Sequence, residues 1–230
     1  MTFKDHFSKQ AADYANFRPR YPRELFEYLG SVAPSRALAW DCATGNGQAA
    51  VELAEVFDRV IATDASEKQI ANAEPQDRVE YRIASAEESG LESDTIDLIM
   101  VAQALHWFDL PRFYEEVPRV LKSKGVFAAS AYKFFHITPE IDPLVNHRYY
   151  DKVVGPFWPP ERVLVEKFEE LPLAFFGNSD AFIRNDRAME PGTPAGLSEV
   201  VVRDATFHRG QESRSVGDNR RRATRRVGRR

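Results

Sequence analysis

The residues best suited to chemistry cluster in one stretch, Trp40 to Gln48, which reads Trp-Asp-Cys-Ala-Thr-Gly-Asn-Gly-Gln. The stretch follows a predicted strand and opens a predicted helix, the context in which a small-residue loop becomes a binding site. Small side chains at Ala43, Gly45 and Gly47 let the backbone turn tightly and approach a ligand, with Asn46 between them. Asp41, at the carboxyl end of the strand, places a negative charge where a cationic ligand can sit. Three further strand ends face the same cleft. Asp64 closes the next strand, where a carboxylate can accept hydrogen bonds from a ribose diol. Ala86 and Glu87 follow the third strand and offer a small side chain and backbone groups to an adenine ring. Gln103 to Trp107 follow the fourth. Together they outline a slot for a nucleoside.

These residues need a parallel sheet to bring them together. From Arg36 to Tyr132, short apolar runs alternate with segments of helical period, as in an α/β fold with helices on both faces of a mostly parallel sheet. Strands are predicted over 37–42, 60–63, 79–83, 96–101 and 126–131. Helices are predicted over 48–57, 67–73 and 111–121, the last two beginning near Ser66 and Asp109, whose side chains can accept from unpaired first-turn amides. The chain divides into a helical leader (1–35) broken by Arg18-Pro19-Arg20-Tyr21-Pro22, the α/β core (36–132), an aromatic-rich insert (133–176) with a helix over 162–171, and an atypical tail (177–230).

The run Asp-x-Ala-x-Gly-x-Gly from Asp41 to Gly47, with Asp64, Ala86-Glu87 and Ala-Gln-Ala-Leu-His-Trp-Phe-Asp at 102–109, resembles the class I S-adenosylmethionine-dependent methyltransferases. Tyr14, Arg18-Pro19, Tyr21-Pro22 and Trp158-Pro159-Pro160-Glu161 make it similar to the branch of trans-aconitate methyltransferase, a group of small-molecule enzymes. The resemblance covers about residues 7–176 and implies a Rossmann-like methyltransferase fold lacking its C-terminal strands, with S-adenosylmethionine as cofactor and a small molecule, a carboxylate for example, as acceptor. The cofactor-binding residues it implies are Asp41, Ala43, Gly45, Asn46, Gly47, Asp64, Ala86, Glu87 and Gln103. Ala43 departs from the glycine usual in the class.

Gly45 to Ala50 also satisfies a Gly-x-Gly-x-x-Ala dinucleotide fingerprint, so an NAD-binding protein is the competing reading. Asp41 favours the sulfonium and ammonium of S-adenosylmethionine, because it would repel a pyrophosphate. Two residues keep two readings each. His106 is either a general base or a ring packed on Trp107 and Phe108. Arg18 either pairs with the acidic body or holds a carboxylate of acceptor or cofactor. Phe134, Phe135, Tyr149, Tyr150, Phe157 and Trp158 read as core or lid packing, some of them lining an acceptor pocket.

Composition narrows the classes. The chain has 230 residues and a net charge of −4, with one cysteine, Cys42, and no clustered histidines, so neither a disulfide nor a metal site is expected. The absence of a long apolar run or a signal-like start predicts a cytoplasmic protein without membrane contact. Residues 210–230 carry eight arginines against Glu212 and Asp218, leaving an acidic body unsuited to nucleic acid. The oligomeric state is not legible.

The tail loses the alternating pattern, and no further strand or helix is expected in it. Reading each codon's last two bases with the first base of the next turns Met189-Glu190 into tryptophan without any codon choice. Permitted codons turn Val201 to Ala205 into Trp-Ser-Ala-Thr-Gln. A one-base shift near residues 173–177 is therefore predicted, with loss of the last strands and weak stability or inactivity. The competing reading is a disordered basic tail that binds nucleic acid or anionic lipid.

Overall fold

The computed structural model describes residues 21–132, 138–158 and 200–206. Residues 21–132 form α1 (Arg23–Val32), β1 (Leu38–Cys42), α2 (Gln48–Ala54), β2 (Arg59–Asp64), α3 (Glu67–Ala71), β3 (Val79–Ile83), β4 (Ile96–Ala102), a 3-10 turn (Leu105–Trp107), α4 (Leu110–Val120) and β5 (Leu121–Tyr132). Beyond them lie a π-helical segment (Pro143–Val154), a short 3-10 turn (Gly155–Phe157) and β6 (Val200–Thr206).

The sheet order is β3-β2-β1-β4-β5-β6. Strands β1 to β5 run parallel, and β6 joins the β5 edge antiparallel. The chain first builds outward from β1 through β2 to β3, then returns to build β4 and β5 on the other side. That reversal puts a topological switch point between the carboxyl ends of β1 and β4, where sheets of this type hold their ligands.

Both faces of the sheet are covered, which is why the strands are apolar almost throughout. Trp40, Cys42, Ile99, Val101 and Phe127 lie on one face beneath Phe113, Tyr114 and Val117 of α4. Ala39, Val60, Ala62, Leu98, Met100 and Ala128 lie on the other, beneath Leu25, Phe26 and Leu29 of α1 and Ala50 and Leu53 of α2. One buried charge of the sheet sits away from the switch point. Asp97, wholly buried near the start of β4, accepts from Leu38 N at 3.0 Å and from Lys122 Nζ at 2.9 Å. A carboxylate taken out of water needs such partners to offset its lost solvation.

The five predicted parallel strands are present, with three differences around them. β5 begins at Leu121, directly after α4, because the chain passes through a left-handed Lys124 and then Gly125, where a Cβ would lie 2.9 Å from Lys122 O. The register slips there between Ile96 and Leu98, a bulge that hydropathy does not encode. Ser66 caps α3 by accepting from Gln69 N, but the Asp109 side chain makes no cap bond at α4. Finally, Val200–Thr206 forms a strand in the tail, where none is expected. Three consecutive valines favour an extended chain, and β5 offers an edge of unpaired backbone groups to meet it.

The leader before residue 21, the helix over 162–171 and the rest of the tail lie outside the described residues. In the insert, Phe157 is 86% exposed and Tyr149 60%, so of the two expected placements, core or lid, neither is in the core; they sit on a short 3-10 turn and a π-helical segment. Tyr150 and Trp158 do meet, with ring centres 5.7 Å apart.

Candidate functional site

The loop after β1 is built on left-handed backbone. Ala43, Gly45 and Gly47 have φ of 58°, 59° and 89°. Such values are easy for glycine and cost an alanine about 1 kcal/mol. The turn is closed by Gly47 N donating to Thr44 O at 3.1 Å, and it is anchored to the next strand by Thr44 N donating to Thr63 O at 2.9 Å. α2 then starts directly from Gly47.

Two buried carboxylates bracket this loop. Asp41 is 1% exposed and accepts from Thr44 Oγ1 at 2.5 Å. Asp64 accepts from Gly45 N at 2.9 Å through Oδ2 and from Ser66 N at 2.8 Å through Oδ1.

On the other side of the switch point, Gln103 leaves β4 with φ of 59°. Its N–H donates to Ser130 O of β5 at 2.9 Å, and its buried Nε2 has no hydrogen-bond partner among the described residues. The adjacent strands β1 and β4 thus both end in a non-glycine left-handed residue, Ala43 and Gln103.

Ala86 is buried among the side chains beneath α4. Glu87 points elsewhere: its Oε1 accepts from Asp109 N at 2.9 Å, supplying the start of α4 with the acceptor that the Asp109 side chain does not. Ser89 donates to Glu116 through both its N–H and its hydroxyl, and Arg119 donates to Glu116 and to Leu91 O. The 86–91 loop is therefore tied to α4. His106 stacks at a tilt on Trp107, ring centres 4.5 Å apart. Arg18 lies outside the described residues.

The field at this end of the sheet is negative. Burial first of all, and then the charges of Asp41, Glu87, Asp64 and Glu116, push the Cys42 thiol well above its ordinary value. Cys42 is thus a buried protonated thiol, unsuited to act as a nucleophile. No group of three or more His, Cys, Asp or Glu that could hold a metal occurs among the described residues. The residues present fit a cationic nucleoside: a left-handed small-residue loop, a carboxylate at the end of β2, a buried amide of Gln103 with donor capacity to spare, and concentrated negative charge.

Thr44 and Gln48, inside the loop stretch but given no role by the sequence, and Tyr81, which carries no sequence signal, belong to the same constellation. Gln48 Oε1 is buried without a partner, and Tyr81 packs against Gly47 from β3. Only its place in space identifies Tyr81.

Comparison with known proteins agrees with this geometry. The profile of the methyltransferase domain family matches residues 40–129. A solved structure assigned to the type II methyltransferases, from Anaeromyxobacter dehalogenans, superposes with a TM-score of 0.68 at 35% identity, over 84% of this chain and 99% of that one. A methyltransferase-family protein of Dictyostelium discoideum is 43% identical over 71% of this chain and 64% of its own length. CRG1 of Saccharomyces cerevisiae, described as an S-adenosylmethionine-dependent methyltransferase, is 29% identical over 57% of this chain. The chain spans 64% of the length of the first of these curated relatives and 47% of the second.

Fold and relatives define a Rossmann-like α/β protein of the methyltransferase type. The chain belongs to the class I S-adenosylmethionine-dependent methyltransferases, a family that implies S-adenosylmethionine as cofactor.

Proposed function

We propose that this chain binds S-adenosylmethionine at the carboxyl ends of β1, β2 and β4 and transfers its methyl group to a small-molecule acceptor. The observation that carries the reading is the pair of carboxylates bracketing the loop, Asp41 bonded to Thr44 Oγ1 and Asp64 bonded to Gly45 N. A pyrophosphate-bearing dinucleotide would meet repulsion there, and a sulfonium bearing an ammonium group meets attraction. This sets the NAD reading aside even though Gly45 to Ala50 fits its fingerprint.

When bound, S-adenosylmethionine supplies a methyl group on a positively charged sulfur whose departure leaves a neutral thioether. The protein therefore has no leaving group to protonate, and its tasks are alignment and exclusion of water. Asp64 would hold the ribose hydroxyls and Asp41 would stabilise the positive end. Gly45, Asn46 and Gly47 would lie along the nucleoside, with Gln103 and Ala86 completing the walls. Glu87 orients the 86–91 loop through α4.

The acceptor reading is a small carboxylate, oriented by Arg18 as in the trans-aconitate methyltransferase branch that Tyr14, Arg18-Pro19 and Trp158-Pro159-Pro160-Glu161 resemble. A carboxylate already carries its nucleophilic electron pair and needs no base. A hydroxyl or carbon acid would call on His106, whose ring the structure packs against Trp107. Transfer of labelled methyl from S-adenosylmethionine to a panel beginning with small polycarboxylates tests this. Esterified product that is lost in Arg18→Ala supports the carboxylate reading. Labelling confined to phenols, amines or carbon acids overturns it.

No helix among the described residues is long and apolar enough to cross a membrane. The proposed setting is the cytoplasm, with the acceptor free in solution.

A further inference from the structure

Gly47 is required by a neighbour inside the protein. Its φ of 89° already favours glycine, and a Cβ built on it would overlap the Tyr81 hydroxyl and lie 3.0 Å from Tyr81 Cε1 and Cζ. The Tyr81 ring, projecting from the middle of β3, therefore occupies the space that a side chain at 47 would take. The hydroxyl donates to Glu74 O at 2.7 Å. Glu74 N in turn donates to Asn46 O at 3.1 Å. A closed circuit runs from β3 through Tyr81 to the segment after α3 and back to the small-residue loop, gripping Asn46 and Gly47 from the side opposite to their own strand.

We infer that Tyr81 is a positioning residue for the cofactor loop, holding Asn46 and Gly47 in the conformation that receives the nucleoside. The inference rests on the proposed S-adenosylmethionine site and adds to it a residue on β3, two strands further along the chain than the β1 that leads into the loop. The chemistry suits the task. Burial, then the charges of Asp41 and Glu74, push the Tyr81 hydroxyl up to about 12, so it remains a donor across the physiological range. A phenylalanine keeps the ring that fills the Gly47 space and removes only the bond to Glu74 O. The neighbouring Glu80 offers a control on the same strand, since it pairs with Arg59 and Arg82 away from the loop.

The test is isothermal titration of the full chain with S-adenosylhomocysteine, in the unaltered form, Tyr81→Phe and Glu80→Gln, with thermal midpoints measured alongside. Loss of one neutral hydrogen bond that orders a binding loop predicts affinity weaker by about threefold to tenfold in Tyr81→Phe. The midpoint should stay near that of Glu80→Gln, and Glu80→Gln should bind as the unaltered chain does. Equal affinity in Tyr81→Phe overturns the brace and leaves the site reading intact. No binding by the unaltered chain overturns the site reading and the brace with it. Should Tyr81→Phe not fold, amide exchange in the unaltered chain decides. Protection of the Glu74 and Gly47 amides rising together on adding S-adenosylhomocysteine supports the brace, and a Glu74 amide indifferent to the ligand overturns it.

Discussion

Asp64 of β2 accepts the amide proton of Gly45 at 2.9 Å, so the carboxylate assigned to the ribose also holds the loop that receives the nucleoside. The two halves of the site, the end of β2 and the loop after β1, are one hydrogen-bonded unit before any ligand arrives. Preorganisation of this kind lowers the ordering cost of binding.

Ala43 carries strain that glycine would relieve. It sits at φ of 58° in the first turn of the loop, and the stability of Ala43→Gly should be unchanged or higher by up to about 1 kcal/mol, since relief of the left-handed strain offsets glycine's larger unfolded-state entropy. Urea unfolding of the two forms checks this, and a clear loss of stability in Ala43→Gly contradicts it.

Glu116 should make stability pH-dependent. Burial alone would raise its carboxyl, but the hydrogen bonds from Arg119 and Ser89 outweigh burial and leave it lowered. A carboxyl lowered on folding stabilises the protein above the ordinary carboxylate range, and that contribution is lost as pH falls through the lowered value. Glu116→Gln should therefore cost about 1–3 kcal/mol at pH 7. The gap between the two forms should narrow below about pH 4. Denaturant melts at both pH values check the sign; a gap that widens in acid contradicts it.

The tail is a statement about the gene. Val200–Thr206 pairs with β5 through its backbone, and backbone pairing asks little of side-chain identity, so an out-of-frame run rich in valine can still take a sheet edge. Sequencing the gene should find a one-base difference from close relatives near codons 173–177. An intact frame there contradicts the expectation and returns the arginines of 210–230 to the basic-tail reading.

β1, β2 and β4 were legible because they are buried on both faces and read as apolar runs, and edge strand β3, only half-buried, because Val79, Tyr81 and Ile83 alternate with Glu80 and Arg82. The loop was legible because glycines between a strand and a helix carry a local signal. What the sequence hid was decided by distant neighbours. Glu87 is written beside Ala86 but serves the start of α4, 22 residues on. Tyr81 looks like an ordinary strand aromatic until the structure sets it against Gly47. The early start of β5 depends on Gly125 fitting beneath Leu121, a contact that periodicity does not report.

The most direct measurement is equilibrium titration of the full chain and of Asp64→Ala with S-adenosylmethionine, each form first shown to be folded by circular dichroism. Saturable single-site binding by the unaltered chain is predicted, weakened by roughly tenfold to a hundredfold when the charged acceptor is removed. A chain that takes up no S-adenosylmethionine, or an Asp64→Ala form that binds it equally well, contradicts the account.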